Sequence, residues 1–173
     1  MTIHTASEEN AEEIREIYDY YVKNTAVTFD YDTPTAEEFR QRITNTLKKY
    51  PYVTAEENGR VIGYAYAGAF KGRAAYDWSA EISIYVKHGC SSKGIGTALY
   101  SELEDRLKKL GIKNLYACIT HPNEQSEKFH EKMGYKKTAH FSKCGYKSEM
   151  WLDVIWMEKF IGEHDAFPKK VFE

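Results

Sequence analysis

Paired cysteines, long apolar runs and an excess of one charge are all missing from this chain, and each absence excludes a class of protein. Cys90, Cys118 and Cys144 form neither a CxxC pair nor a disulfide framework, which favours a reduced, cytoplasmic protein. No apolar run approaches the roughly 18 residues that span a bilayer, so we expect no membrane segment. The net charge is -2, so we expect no broad basic surface for nucleic acid.

The composition is typical of one globular domain. Of 173 residues, 42% are hydrophobic and 29% are charged, which is enough to bury a core without a disulfide. No repeat or linker marks a boundary, so we predict one domain over residues 1–173, with a core at about 2–161 and a short tail at 162–173. Histidines and cysteines show no metal-ligand spacing, so no metal site is predicted.

The first half of the chain predicts a strand at the N-terminus, then two helices and three further strands. One helix follows the N-cap residue Ser7, and another begins at the capping box Thr35–Glu38 and ends before Pro51. Asn58-Gly59 is a strong hairpin signal. The predicted strands are Tyr52–Glu56, Val61–Phe70 and Asp77–Lys87. In the last of these, Glu81, Ser83 and Tyr85 lie opposite a core face of Ala80, Ile82, Ile84 and Val86.

The second half of the chain alternates helices with strands. The predicted elements are a helix over 94–110 ended by Gly111, a strand over Ile112–Thr120, a helix over Asn123–Met133, and strands over Tyr135–Phe141 and Met150–Phe160. The whole order is β, α, α, β, β, β, α, β, α, β, β. This order predicts a mixed α+β fold whose central sheet is partly antiparallel and partly parallel.

The loop before the 94–110 helix has the features of a phosphate site. Gly94-Ile-Gly96 would let main-chain N–H groups approach a ligand at a helix N-terminus. A P-loop is excluded because Ile95 and Gly96 stand where Lys and Ser or Thr are needed, and a dinucleotide fingerprint is disfavoured by Leu99. An acetyl-CoA loop fits the glycines, with Ser91 in place of its usual Gln or Arg. An ordinary β-turn-α connection is the alternative.

Several further segments resemble the GNAT superfamily of N-acetyltransferases, in its phosphinothricin and methionine sulfoximine N-acetyltransferase branch. The segments that carry the resemblance are Ile17–Phe29, Trp78–Val86, Gly94–Tyr100, Pro122-Asn123 with Ser126, His130-Glu131, Gly134-Tyr135, Gly145–Lys147 and Trp151–Val154. The resemblance covers nearly the whole chain. It implies a mostly antiparallel sheet with one splayed parallel strand pair and about four helices. It also implies acetyl-CoA as acetyl donor, a small amino-acid-like amine as acceptor, and a homodimer.

The resemblance also implies the site residues. Glu81 matches the general base, which a protonated amine requires before it can attack a thioester. Acetyl-CoA would contact Ile84, Tyr85, Val86, Ser92, Lys93, Gly94, Ile95, Gly96, Thr97, Asn123 and Ser126. His130 or a water would protonate the leaving thiolate, and a backbone N–H near Tyr85 or Val86 would stabilise the oxyanion. From the residues alone, Glu81 could instead pair across the sheet, and His130 could make a structural hydrogen bond.

The acceptor site is the least constrained by the sequence. Lys71, Arg73, Tyr76 and Phe29 are candidates to hold the substrate, and two of them are cations suited to a carboxylate or phosphinate. A solvated loop for the two cations and core packing for Phe29 are the alternatives.

Two departures from the branch affect the choice of acceptor. Asp77 and Ser148 stand where the branch often has Arg and His, which weakens the inference to phosphinothricin itself. Acetylation of another amine and a non-catalytic module that senses acetyl-CoA stay open as functions.

Overall fold

One mixed sheet carries the whole fold in the computed structural model, which describes residues 1–90 and 94–172. Within those ranges seven strands lie in the order β1-β2-β3-β4-β5-β7-β6, and neighbours are antiparallel except for β4 and β5. The strands are β1 (Thr2–Thr5), β2 (Tyr52–Glu57), β3 (Arg60–Ala69), β4 (Ser79–Val86), β5 (Asn114–His121), β6 (Lys136–Lys147) and β7 (Met150–Phe160). The α-helices are α1 (Ala11–Asn24), α2 (Ala36–Leu47), α3 (Ile95–Leu110) and α4 (Glu124–Lys132). The predicted fold class is confirmed.

Local capping and turn signals account for most element boundaries. The Thr35 side chain accepts a hydrogen bond from the Glu38 N–H and begins α2, as predicted. Gly111 ends α3 in the left-handed conformation. The first helix differs, because a turn of 3-10 helix at Glu8–Asn10 precedes α1. On α2, Phe39 and Ile43 are buried, whereas Leu47 at the end of the helix is exposed.

The last hairpin is longer than the sequence predicted. β6 continues to Lys147, well beyond the expected end at Phe141. The pairing with β7 shifts register between Phe141 and Gly145, and Lys143 adopts a positive φ of 51° there. A β-bulge therefore accommodates the extra residues around Lys143, and the strand continues beyond them.

The helices cover the two faces of the sheet unequally. On one face α3 packs against the small side chains of β3, so closely that a Cβ on Gly63 would lie 3.1 Å from Ile95 and 3.2 Å from Leu99. On the other face α1 and α2 pack over β2, β3 and part of β4. Every helix within 1–90 and 94–172 is too short or too polar to traverse a membrane.

The parallel pair diverges partway along its length. β4 and β5 pair only from Ser79 opposite Asn114 to Ile82 opposite Ala117. Beyond that point, each strand continues without the other as a partner, since β4 extends to Val86 and β5 to His121. The divergence opens a gap in the middle of the sheet, next to the N-termini of α3 and α4.

Candidate active site

A groove of about 570 Å³ lies at the gap between β4 and β5. Predicted cofactor residues line it: Ile84, Val86, Gly94, Ile95, Gly96, Thr97, Asn123 and Ser126. Tyr85 lies in a narrower adjoining cavity of about 60 Å³, which Ser126 and His130 also line. Ser92 and Lys93, the other two predicted cofactor residues, lie outside the described residues.

The N-terminus of α3 offers main-chain donors to this groove. Gly94 caps the helix with a φ of 76°, and the first N–H groups of a helix have no partner within it. Gly96 has no side chain to obstruct these donors, and a Cβ there would already lie 3.1 Å from the Phe129 ring. Lys87 and Lys132 also line the groove. Positive charge and free N–H groups suit a diphosphate such as that of CoA.

The main chain of β4 presents a second set of hydrogen-bonding groups. The Lys87 N–H donates to the Ile62 carbonyl, so Lys87 forms a hydrogen-bonded pair with β3. Because such pairs alternate along antiparallel strands, Tyr85 also faces β3, opposite Tyr64. The N–H and C=O groups of Ile84 and Val86 therefore point into the gap.

Glu81 lies half-buried on β4, just before the strands diverge. Burial raises the pKa of its carboxyl group above 4.5, and the nearby Lys71 charge partly offsets this. No ion pair to Glu81 occurs among residues 1–90 and 94–172, so the alternative of a cross-strand pair is not seen there. A partly desolvated carboxylate is suited to accept a proton at neutral pH.

His130 is buried on α4 with both ring nitrogens engaged. Its Nδ1 lies 2.8 Å from the Ser126 carbonyl, which can only accept, so Nδ1 carries the proton. Nε2 then accepts from the Tyr100 hydroxyl at 2.9 Å. Burial lowers the pKa of His130 below 6.5, although the bond to Ser126 opposes the shift. The ring is neutral at neutral pH.

We expect His130 to make folding sensitive to mild acid. Below about 6.5 the unfolded chain takes up a proton that the folded chain resists, so the free energy of unfolding falls as the pH is lowered. His130→Gln should flatten this dependence in denaturant titrations across that range. The exposed His4→Gln serves as the control and should behave as the wild type. Equal pH dependence in the wild type and His130→Gln would contradict the expectation.

The acceptor-side candidates separate into two groups. Lys71 lies over the rings of Phe70 and Trp156, 5.1 Å and 5.6 Å from their centroids, and Tyr76 contacts the Phe70 ring at 5.9 Å. Arg73 is exposed and forms no ion pair within the described part of the chain. Lys71 and Tyr76 thus belong to an aromatic wall beside the Glu81 strand.

Phe29 is held from another direction. It lies in the connection between α1 and α2, and its ring fills the space where a Cβ on Gly145 would stand. The buried Lys147 amine donates to the Thr28 carbonyl at 2.7 Å, which ties β6 to the same connection. Phe29 therefore borders β6 at Gly145, and within the described residues its ring makes no contact with the aromatic wall of Phe70, Tyr76 and Trp156.

Sequence analysis missed groove residues contributed by α1 and the chain after it. Tyr20, Tyr21, Thr25 and Val27 line the groove, and the Tyr21 hydroxyl donates to the Val86 carbonyl at 2.5 Å. The tyrosines follow the helical period of α1, which indicates core packing and gave no sign of a ligand. No cluster of three or more His, Cys, Asp or Glu side chains that could hold a metal occurs among the described residues.

Comparisons with known proteins agree on one family. The model of the acetyltransferase (GNAT) domain matches residues 3–156. The phosphinothricin N-acetyltransferase of Streptomyces viridochromogenes is 35% identical, over 90% of this chain and 85% of its own length. The L-methionine sulfoximine/L-methionine sulfone acetyltransferase of Salmonella typhimurium is 32% identical, over 96% and 98%. A crystal structure of the Sinorhizobium meliloti phosphinothricin acetyltransferase with acetyl-CoA superposes with a TM-score of 0.93 at 36% identity, over 98% of this chain and 93% of that one.

Proposed function

The chain belongs to the GNAT acetyltransferase family, and on this premise we propose that it transfers an acetyl group from acetyl-CoA to the amino group of a small amino-acid-like substrate. The observation that carries the proposal is the position of Glu81. A half-buried carboxylate with no ion pair in the described residues lies one position before the last pair of β4 and β5. Beyond that pair the strands open into a groove suited to CoA, although Glu81 itself does not line that groove. Phosphinothricin, methionine sulfoximine, methionine sulfone and similar amino acids are the candidate acceptors, because relatives carry these names.

The proposed reaction begins with proton transfer from the acceptor ammonium to Glu81, directly or through water. The neutral amine then attacks the thioester carbonyl carbon. The oxyanion is stabilised by a main-chain N–H of Ile84 or Val86, because these two, unlike that of Tyr85, point into the gap. The tetrahedral intermediate then breaks its C–S bond and loses the second amine proton. A water is the better candidate to return a proton to the leaving thiolate, because the one N–H of the neutral His130 is bound to the Ser126 carbonyl and its Nε2 accepts from Tyr100. A kcat of His130→Gln within about twofold of wild type supports water, and a loss of about a hundredfold or more would return the role to His130.

The acetyl group passes directly to the amine in this proposal, with no acyl-cysteine. Cys118 is the candidate nucleophile to test, because its thiol lies close enough to Glu81 for the carboxylate charge to act on it. Although the Cys118 side chain is exposed, neighbouring groups desolvate its thiol, and this desolvation, reinforced by the Glu81 charge, raises its pKa to about 11. A thiol so rarely ionised is a poor nucleophile at neutral pH.

Cys118→Ala should therefore keep kcat within about threefold of wild type, because only packing and no covalent step is lost. Initial rates with both substrates varied should give intersecting lines, as expected for a ternary complex. Loss of turnover in Cys118→Ala together with parallel lines would contradict direct transfer and indicate an acyl-enzyme.

The function as a whole is tested by release of free thiol from acetyl-CoA across a panel of amino acids and other amines. The proposal expects release with a small amino acid and none without acceptor. Turnover only with polyamines, aminoglycosides or peptides would move the activity to another amine. Tight acetyl-CoA binding without any release would favour the non-catalytic sensing module.

The panel also tests which residues hold the acceptor. We propose that Lys71, Arg73, Tyr76 and Phe29 contribute to its site, and the aromatic wall beside Glu81 supports the first and third of these. Lys71→Gln should raise KM for a carboxylate-bearing acceptor by about tenfold and leave acetyl-CoA binding unchanged. The cofactor roles of Asn123 and Ser126 are supported by their place in the groove, although the Asn123 carboxamide oxygen also accepts from the Ser126 N–H.

A homodimer is part of the proposal. The hairpin of β6 and β7 exposes five large apolar side chains, Phe141, Tyr146, Met150, Trp151 and Phe160. Exposed apolar patches of this kind commonly mark interfaces. Sedimentation should give twice the chain mass of 20.1 kDa, and a mass of 20.1 kDa at micromolar concentration would overturn this part.

Two further assignments complete the proposal. A cytoplasmic location is supported by the free thiols of Cys90, Cys118 and Cys144, and cell fractionation tests it. One domain over residues 1–173 is supported by the single seven-stranded sheet of the described residues. Limited proteolysis should release only a short tail.

A further inference from the structure

A second cavity of about 500 Å³ lies away from the acetyl-CoA groove. It is a cleft between α2 and the tyrosine-bearing face of β2 and β3, open to solvent along the exposed side chains of α2. Its lining includes Arg42 and Asn45 from α2 and Tyr52, Tyr64 and Tyr66 from the strands. It shares no lining residue with the groove or with the narrow cavity beside His130. This volume lies in the range of small-molecule sites.

Two buried tyrosines reach this cavity with their hydroxyl groups. Tyr52 is 2% exposed and Tyr64 is 1% exposed, and neither hydroxyl forms a hydrogen bond with another described residue. In the described part of the chain, every fully enclosed side-chain N or O atom has a hydrogen-bond partner. Since the two hydroxyls have none, they are not fully enclosed, and we place them toward the cavity that both residues line. Burial raises the pKa of both groups well above 10, which keeps them protonated and able to donate.

The cavity also has an uncommitted cation. Arg42 lies over the Phe39 ring, 5.2 Å from its centroid, and forms no ion pair within residues 1–90 and 94–172. Glu38 lines the same cavity, but its carboxylate accepts from the Thr35 N–H at 2.6 Å and from the Thr35 hydroxyl at 2.8 Å. The helix cap thus occupies the hydrogen-bonding oxygen of Glu38. The exposed guanidinium of Arg42 feels the Glu38 charge but forms no ion pair with it.

We propose that this cavity is a second binding site, for a small carboxylate with an aromatic or alkyl body. Arg42 would pair with the carboxylate, and the hydroxyls of Tyr52 and Tyr64 would donate to its oxygens. The parallel rings of Tyr52 and Tyr66, 5.0 Å apart, would pack against the apolar body. A ligand of this chemistry is either part of the acetyl acceptor or a separate metabolite.

The test uses para-fluorobenzoate and fluorine NMR on the full chain saturated with acetyl-CoA. Arg42→Gln should weaken binding of the probe by about tenfold or more, and Tyr52→Phe by about threefold. Arg40→Gln is the matched control, because Arg40 lies on the same helix, pairs with Glu37 at 3.1 Å and does not line the cavity. Circular dichroism checks that each variant is folded.

Two results would overturn the site: no binding by the wild type saturated with acetyl-CoA, or equal binding by the wild type and the folded variants Arg42→Gln and Tyr52→Phe. Probe binding by the wild type and Arg40→Gln that is weakened in Arg42→Gln supports the site. Inhibition of acetyl transfer then identifies the source. Competition against the acceptor assigns the cavity to the acceptor, and binding without competition assigns it to a separate carboxylate. A failure of binding leaves the proposed acetyl transfer unaffected, because that is measured by thiol release.

Discussion

Glu81→Gln should lower turnover by about a hundredfold or more, because a neutral amide cannot accept the proton of the incoming ammonium group. In the wild type, kcat/KM should fall as the pH is lowered through the pKa of Glu81, which burial places above 4.5. Glu81→Gln should lack this acidic limb. Thiol release measured across pH with an accepted amino acid checks both expectations.

Loss of turnover in Glu81→Gln must be distinguished from loss of folding. A raised pKa means that the folded chain favours the protonated carboxyl, so the charge present at neutral pH does not stabilise the fold. Glu81→Gln should therefore unfold at no lower denaturant concentration and should bind acetyl-CoA as tightly as the wild type. Glu57→Gln, on β2 and outside the groove, should leave turnover unchanged. Turnover of Glu81→Gln within twofold of wild type, with the acidic limb retained, rejects Glu81 as the base.

Gly96→Val should weaken acetyl-CoA binding by about tenfold or more. A Cβ at Gly96 would already lie 3.1 Å and 3.2 Å from two Phe129 ring carbons and 3.6 Å from Ile84. The two methyl groups of valine extend further, so they must displace Phe129 or enter the groove where the main-chain donors are. Overpacking of this kind costs about 1–3 kcal/mol. Titration calorimetry with acetyl-CoA measures the loss.

A second valine on α3 separates this steric effect from helix propensity. Ser101 is exposed on the same helix, so Ser101→Val carries the β-branched penalty without approaching the groove. Its affinity for acetyl-CoA should match the wild type. Equal affinity in Gly96→Val would show that the diphosphate does not approach this end of α3.

Much of the fold was predictable because local signals set it. Asn58 and Gly59 both adopt positive φ, at 52° and 71°, and join β2 to β3 as the dipeptide predicts. The Thr35 cap and the Gly111 stop act within one turn of their helices, so the sequence nearby contains the whole signal. The length of β6 was not predictable, since the bulge near Lys143 is compensated by pairing with β7.

The site was predictable only in part, for a different reason. Glu81 and the glycines match residues to which the resemblance assigns a role. Tyr21 lies in the resembling segment Ile17–Phe29, but the resemblance assigns it no role, because its contact with the groove depends on where α1 docks. Its hydroxyl meets the Val86 carbonyl, 65 residues further along the chain. The cavity under α2 likewise joins side chains of a helix and two strands, which no periodicity in one segment could indicate.

The divergence of β4 from β5 leaves an internal edge in the middle of the sheet. Edges elsewhere in proteins attract extended chains, because their unused amides and carbonyls form a template. Here the Val86 carbonyl accepts from the Tyr21 hydroxyl, whereas the N–H and C=O of Ile84 and the N–H of Val86 present such a template. These three groups line the place where an extended substrate arm with alternating amide groups would lie. A ligand of that form would act as a temporary strand that restores the continuity of the sheet. The bound substrate would thereby complete the sheet beside which its own reaction takes place.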